Sequence, residues 1–130
     1  MNNMPDNNKF QTILSEMNRA GNFHHSLLTD DQGLTIVAST DGGVDPSVHS
    51  AITLLVQKAA LLVSNQVHMA NIDEISITDT NHRQLVCRTF DIHNQKVFLT
   101  ILMPDKKQSY RQLSTGAIGR IRSEWSKLLT

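Results

Sequence analysis

One cysteine, three prolines, six glycines, four phenylalanines, one tryptophan and one tyrosine are all that this 130-residue chain holds of the residues that most often mark covalent, collagenous or aromatic-rich architectures. A lone cysteine, Cys87, excludes an intramolecular disulfide and a cysteine-built zinc cluster, which fits a reducing compartment. Lysine plus arginine equals aspartate plus glutamate at 12 each, so the formal charge is zero. A zero balance lacks the positive footprint that neutralises nucleic-acid phosphates or holds a protein on an anionic membrane surface. It also leaves little self-repulsion, which favours association between copies. The longest uninterrupted apolar run, residues 59–63, is too short to span a bilayer. The first residues, MNNMPDNNKF, are polar and lack the apolar stretch of a secretory signal. The expectation is a soluble, cytoplasmic protein with no membrane insertion.

With 39% apolar and 18% charged residues the chain can build a core, and at this length it builds one. Residues 1–8 are Asn-rich with Pro5 and read as a loose tail, leaving 9–130 as the domain. Phe10, Ile13, Leu14 and Met17 follow the helical i, i+3, i+4, i+7 spacing, and Gly21-Asn22 offers a stop. Two short apolar runs, 25–29 and 34–40, flank Asp30-Asp31-Gln32-Gly33, a turn with Asp first and Gly last. Asp45 and Pro46 read as the cap and first position of a long helix reaching about Gln66. Strands follow at 72–78, 83–92 and 96–103, separated by Asp79–His82 and His93–Gln95. The run VFLTILM is apolar at nearly every position, as in a central strand covered on both faces. A last helix from Ser109 carries Tyr110, Leu113, Ala117, Ile121, Trp125 and Leu128. The order α-β-β-α-β-β-β-α predicts an α+β, three-layer sandwich: a five-stranded, mostly antiparallel sheet, with the long helix on one face and two helices on the other.

The long helix is the most informative segment. Val48, Ile52, Leu55, Ala59 and Leu62, with Val56 and Val63 beside them, form the stripe expected to lie on the sheet. Ala51, Leu54 and Leu61 lie roughly 100–150° around the wheel, more apolar surface than a helix on one sheet requires. The second set is expected to face another protein, most simply the same helix of a second copy about a two-fold axis. In the last helix, Gly116 and Gly119 each cost about 1 kcal/mol relative to alanine, and close packing against a neighbour is the expected compensation.

Chemistry is hard to find. His24 and His25 are adjacent, so a strand sends them to opposite faces, and His49, His68, His82 and His93 form no ligand spacing with a carboxylate. Cys87 sits mid-strand with no adjacent histidine or helix N-terminus to lower its pKa, which marks a core residue rather than a nucleophile. No nucleophile elbow, phosphate loop or calcium loop is present. Neither a catalytic centre nor a cofactor nor a metal is expected.

The segment LLTDDQGLTIVAST has an apolar strand, a D-x-x-G turn and a strand ending in small residues, and an apolar helix follows it. With the later strands ISITDT, QLVCRTF and VFLTILMPD and the closing helix, it resembles the roadblock (dynein light-chain) family, in its bacterial and archaeal form, over about residues 9–129. The resemblance implies a homo- or heterodimer with the long middle helices side by side and the edge strand 72–78 paired with its copy. It implies no active site, and partnership with a small Ras-like GTPase or a place as a motor-associated scaffold subunit. The expected interface residues are Ala51, Leu54, Lys58 and Leu61 on the helix, and Ile72, Glu74, Ser76 and Thr78 on the strand. Profilin- and PAS-like sensors share the layout, but a sensor needs an internal pocket with convergent polar groups.

Overall fold

The structure, a computed structural model, describes residues 7–39, 46–70 and 72–128, and the side chains within 8–39, 55–70 and 72–128. Helix α1 is Asn7–Gly21, strands β1 and β2 are His25–Asp30 and Thr35–Ala38, and helix α2 is Pro46–Val67. Strands β3 (Glu74–Thr78), β4 (Gln84–Ile92) and β5 (Gln95–Met103) precede helix α3 (Arg111–Lys127). The element order matches the sequence reading. The tail expected at 1–8 and the cap Asp45 lie mostly or wholly outside the described residues, and α1 is already helical at Asn7.

The sheet runs β2-β1-β5-β4-β3 and all its pairings are antiparallel. Strand β5 is central, and Val97, Phe98, Leu99, Thr100, Ile101 and Met103 are all buried. Alternation splits them between the two faces. Val97, Leu99, Ile101 and Met103 join Val86, Phe90 and Ile92 of β4 and the apolar faces of α1 and α3 in the main core. Phe98 joins Cys87, Val56 of α2 and Ile75 in a smaller cluster on the opposite face. Two helices therefore lie on one face and α2 on the other.

Helices α1 and α3 pack together through Phe10 and Trp125, stacked with ring centroids 5.8 Å apart. Exposed pairs, Arg120–Glu16 at 2.6 Å and Lys9–Glu124 at 3.5 Å, flank them. Such pairs contribute about 0–1 kcal/mol each, so burial of the rings dominates this contact.

The turns are built from side chains that replace missing backbone partners. Asp30 Oδ1 accepts hydrogen bonds from the Gln32 and Leu34 amides at 2.9 and 3.0 Å, and Gly33 has φ 80°. Asp79 repeats the arrangement with the Asn81 and Arg83 amides, both at 2.9 Å. Between β4 and β5, His93 and Asn94 both have positive φ, 49° and 68°, as a two-residue hairpin with the right twist requires. At the end of α1, Asn22 takes the left-handed conformation (φ 56°) and the Phe23 amide donates to the Asn18 carbonyl at 2.9 Å, a Schellman closure.

Glycine has different reasons at different places. A Cβ on Gly21 would stand 2.2 Å from the Phe23 ring, so only glycine lets that ring fold back over the helix end. At Gly116 and Gly119 a Cβ would meet nothing within 4 Å. The expected close approach is therefore absent, and both glycines face outward from α3. Replacing either with alanine should stabilise the fold by about 0.5–1 kcal/mol through helix propensity alone. Gly21→Ala should destabilise it. Urea denaturation of the three variants measures both signs.

Candidate functional site

Helix α2 carries the largest exposed apolar surface of the described residues. Val56 is buried in one cluster with Cys87 and Phe98 of the sheet, and Ala60 and Ser64, half-buried on the same line, border the groove beside it. Leu55, Leu61 and Leu62 are 66%, 63% and 60% exposed, and Val63, Val67 and Met69 add to the surface. The stripe expected on the sheet is thus rotated: Leu55 and Leu62 point to solvent, and Ala59 is exposed as well. The line turned to the sheet is instead that of Val56, Ala60 and Ser64. Residues 48 and 52, the start of the expected stripe, have no described side chains.

At 100° per residue, the exposed leucines fall into two sets. Leu61 lies with Gln57 and Ser64 along the wall of a groove of about 180 Å³ between α2 and the β3–β4 side of the sheet. Its floor is Cys87, Phe98 and Ile75, and Ile72 closes one end. Leu55 and Leu62 lie on the flank turned away from that groove. Exposed Lys58 sits between the sets.

The groove ends at β3, one edge of the sheet, and the two edges differ. Strand β2 has only four residues, its pairing with β1 shifts register between Leu28 and Thr29, and the Ala38 carbonyl accepts from Gln11 Nε2 of α1 at 3.3 Å. Shortness, a bulge and a covering helix are the usual guards of an edge. Strand β3 pairs with β4 in unbroken register over five residues and holds neither lysine nor proline. Ser76, Ile77 and Thr78 are exposed, Ile77 at 51%.

The single charge on β3 is drawn away from that edge. Glu74 is 19% exposed and accepts from the Tyr110 hydroxyl and Arg111 Nη1, while Arg88 Nε lies 3.8 Å from it. Arg88 is buried and donates through Nη1 to Ser114 Oγ (2.7 Å) and Thr115 Oγ1 (2.8 Å). Arg111 Nη2 holds Asp73 at 3.0 Å. Burial, with the adjacent Glu74 carboxylate, pushes the Tyr110 phenol above its ordinary value. The cluster ties the start of β3 to the first turn of α3, and it compensates the buried Arg88 charge that would otherwise be costly.

The expected interface residues are thereby distributed. Lys58 and Leu61 are exposed on α2, Ile72 borders the groove, and Ser76 and Thr78 lie on the open edge. Glu74 is on the same edge strand, with its side chain turned into the α3 cluster. The side chains of Ala51 and Leu54 lie outside the described residues. Leu55, Leu62 and Ile77 were not among the expected residues. Only the rotation of α2 exposes the first two. Ile77 was legible as the last apolar residue of an alternating strand.

Elsewhere the chemistry is sparse. Cys87 is buried, its Sγ lies 3.6 Å from the Thr100 hydroxyl that donates to it, and desolvation pushes its thiol up to about 11. His25 is buried beside Ser39 Oγ at 3.3 Å, whereas His24 is exposed. Among the described residues no group of histidine, cysteine and carboxylate side chains could hold a metal ion, and no helix is long and apolar enough to cross a membrane.

Comparison with known proteins places the fold. No protein-family model and no curated protein sequence matches the chain. Solved structures do. MglB of Myxococcus xanthus superposes with TM-score 0.78 at 13% identity, over 96% of this chain and 93% of that one. The gliding protein MglB of Thermus thermophilus gives 0.70 at 14% identity, over 93% and 91%. A roadblock/LC7 domain from Streptomyces avermitilis gives 0.66 at 13% identity, over 92% and 98%. The chain has the roadblock fold over nearly its whole length.

The Cys87 environment yields a direct test. A thiol near pKa 11 is ionised to only about one part in a thousand at pH 8, and burial adds a steric barrier. An aromatic disulfide reagent should therefore react with the native protein at least tenfold more slowly than with the urea-unfolded chain.

Proposed function

We propose that this chain is a non-catalytic adaptor or regulator that works as a homodimer and holds a small Ras-like GTPase. One observation carries the reading: α2 leaves two leucine flanks in water beside an unguarded sheet edge. Monomeric soluble domains rarely expose a continuous apolar face of this kind, and such faces mark protein–protein contacts. The two flanks divide the work. The Leu61 flank borders the groove that opens toward β3, so a second copy joined through β3 would cover it. The Leu55–Leu62 flank turns the other way and remains for a further partner.

The roadblock resemblance supports the class of partner, since domains of that kind pair with Ras-like GTPases through the layer of middle helices. One MglB structure with this fold, TM-score 0.74 at 12% identity, is described with a tetrameric arrangement, and the same outer flank would serve a higher assembly here. The absence of a nucleophile–base pair in the sequence supports an indirect mode of action. Lys58, the one charge on α2, lacks the planar guanidinium fork that suits a phosphoryl transition state, so any stimulation of hydrolysis would come from ordering the GTPase's own loops.

Two single substitutions separate the flanks. Leu61→Glu places an unpaired charge in the expected copy-to-copy contact and should convert the dimer to monomer at micromolar concentration by light scattering. Leu55→Glu should leave the dimer intact and reduce recovery of the GTPase.

For the partner, pull-down from native lysate with GTP-analogue and GDP loading should recover a GTPase preferentially in one nucleotide state, because only its switch loops differ between states. Lys58→Glu should lower that recovery several-fold. Equal recovery in both states would favour a plain scaffold, and an unmutated protein that scatters as a monomer would overturn the dimer.

A further inference from the structure

The groove between α2 and the sheet is apolar along its floor and cationic at one end. Phe98, Cys87 and Ile75 make the floor, with Val56 and Leu61 on the helix side. Alternation along β5 puts Lys96 on the same face as Phe98, two residues nearer the β4–β5 hairpin. Lys96 therefore stands beyond the Thr89–Phe98 pair, at the end of the groove that Thr89 and Ser64 also line.

The two hydroxyls at that end are already spent. Ser64 Oγ donates to the Met69 carbonyl at 3.0 Å, and Thr89 Oγ1 donates to the Ile72 carbonyl at 2.8 Å. Lys96 differs. It is half-buried and is the one charged residue of the lining. Among the described residues no carboxylate forms an ion pair with it, and Asp91, opposite it on β4, is exposed. An ammonium partly withdrawn from water is costly unless an anion meets it. The middle helix of a second copy cannot supply that anion, because α2 contains no aspartate or glutamate.

The occupant that complements both parts is a single negative charge carrying an apolar tail. Size narrows it further. At about 180 Å³ the groove holds about six water-sized groups of roughly 30 Å³ each. Nucleotides and flavins need the larger cavities, about 300–1,000 Å³, of drug-sized ligands.

We propose that the groove binds a small carboxylate with a straight apolar tail of about six to eight carbons. Lys96 Nζ meets the carboxylate, and the tail lies over Phe98, Cys87 and Ile75. The site belongs to the groove of the single chain, so it stands whether or not a second copy covers it.

NMR titration of the full chain with straight-chain carboxylates, from butanoate to dodecanoate, tests the site. Shifts should centre on Ile75, Cys87 and Phe98. Each methylene that fits should tighten binding about fourfold, and the gain should stop near octanoate. Octanol should bind roughly tenfold more weakly than octanoate, and octylammonium should not bind. Lys96→Gln should erase the preference for octanoate and keep the affinity for octanol, which also shows that its groove is intact.

No saturable shift up to about 10 mM octanoate, or shifts centred elsewhere, would overturn the site. An unchanged preference in Lys96→Gln would overturn the role of that residue. Affinity that climbs evenly past octanoate would mean adsorption on the exposed leucines of α2, and the groove would be ruled out. Light scattering of the same samples separates this from the proposed function. A monomer that binds octanoate by these criteria would remove the dimer and leave the ligand site.

Discussion

Strand β5 is buried on both faces, and the placement of every other element follows from keeping it so. A strand of this kind cannot sit at an edge or face water, so it needs partners on both sides and cover above and below. Strands β1 and β4 supply the sides. Helices α1 and α3, joined through Phe10 and Trp125, cover one face. The other face is covered by α2 through Val56 and the small cluster of Phe98, Cys87 and Ile75. That second cover is thin. It leaves a groove on the β3–β4 side, and the exposed leucines of α2 rim it and flank it. The surface proposed for contact is thus the side of the sandwich that one chain does not finish.

The charged cluster on the opposite face is the counterpart of that opening. Arg88 enters the core face because alternation along β4 sends it there between Val86 and Phe90. Once buried it requires acceptors, and Glu74, Ser114 and Thr115 stand around it. The arrangement binds the edge strand to α3 without using any apolar surface. Order at β3 therefore comes from hydrogen bonds and charge, while the groove side is left for contact.

Most of the fold was legible in the sequence because its signals are local. The alternating strands, the doubly buried run of β5 and the Asp-led turns each state their structure within a few residues. The left-handed residues Asn22, His93 and Asn94 fall where the turns were expected. Two features were misread for one reason, that composition does not say what a residue faces. Gly116 and Gly119 are the pattern of a close helix contact, yet both face open space. On α2, nearly every line of the wheel is apolar, so periodicity cannot choose the line that seats. Val56 is the side chain that seats, in one cluster with Cys87 and Phe98, and that choice is made by packing between distant segments. Glu74 lies on the edge strand, as its position in the sequence suggests, but its side chain turns to α3. Its destination in the α3 cluster depends on Tyr110 and Arg111, which lie far away in sequence and could be joined to it only by the sheet.

The unequal edges of the sheet bear on how far association can go. A β-sheet with two open edges can add copies at both ends, the geometry from which fibrils grow. Among the described residues β2 is short, bulged and covered, and β3 is open. Each molecule then has a valence of one for backbone pairing. A two-fold pair of the proposed kind would use both open edges and present only guarded ones outward, so growth along the sheet would terminate at two copies. Any larger assembly must be made by side chains on the helix layer, where it can be reversed without disturbing a single strand.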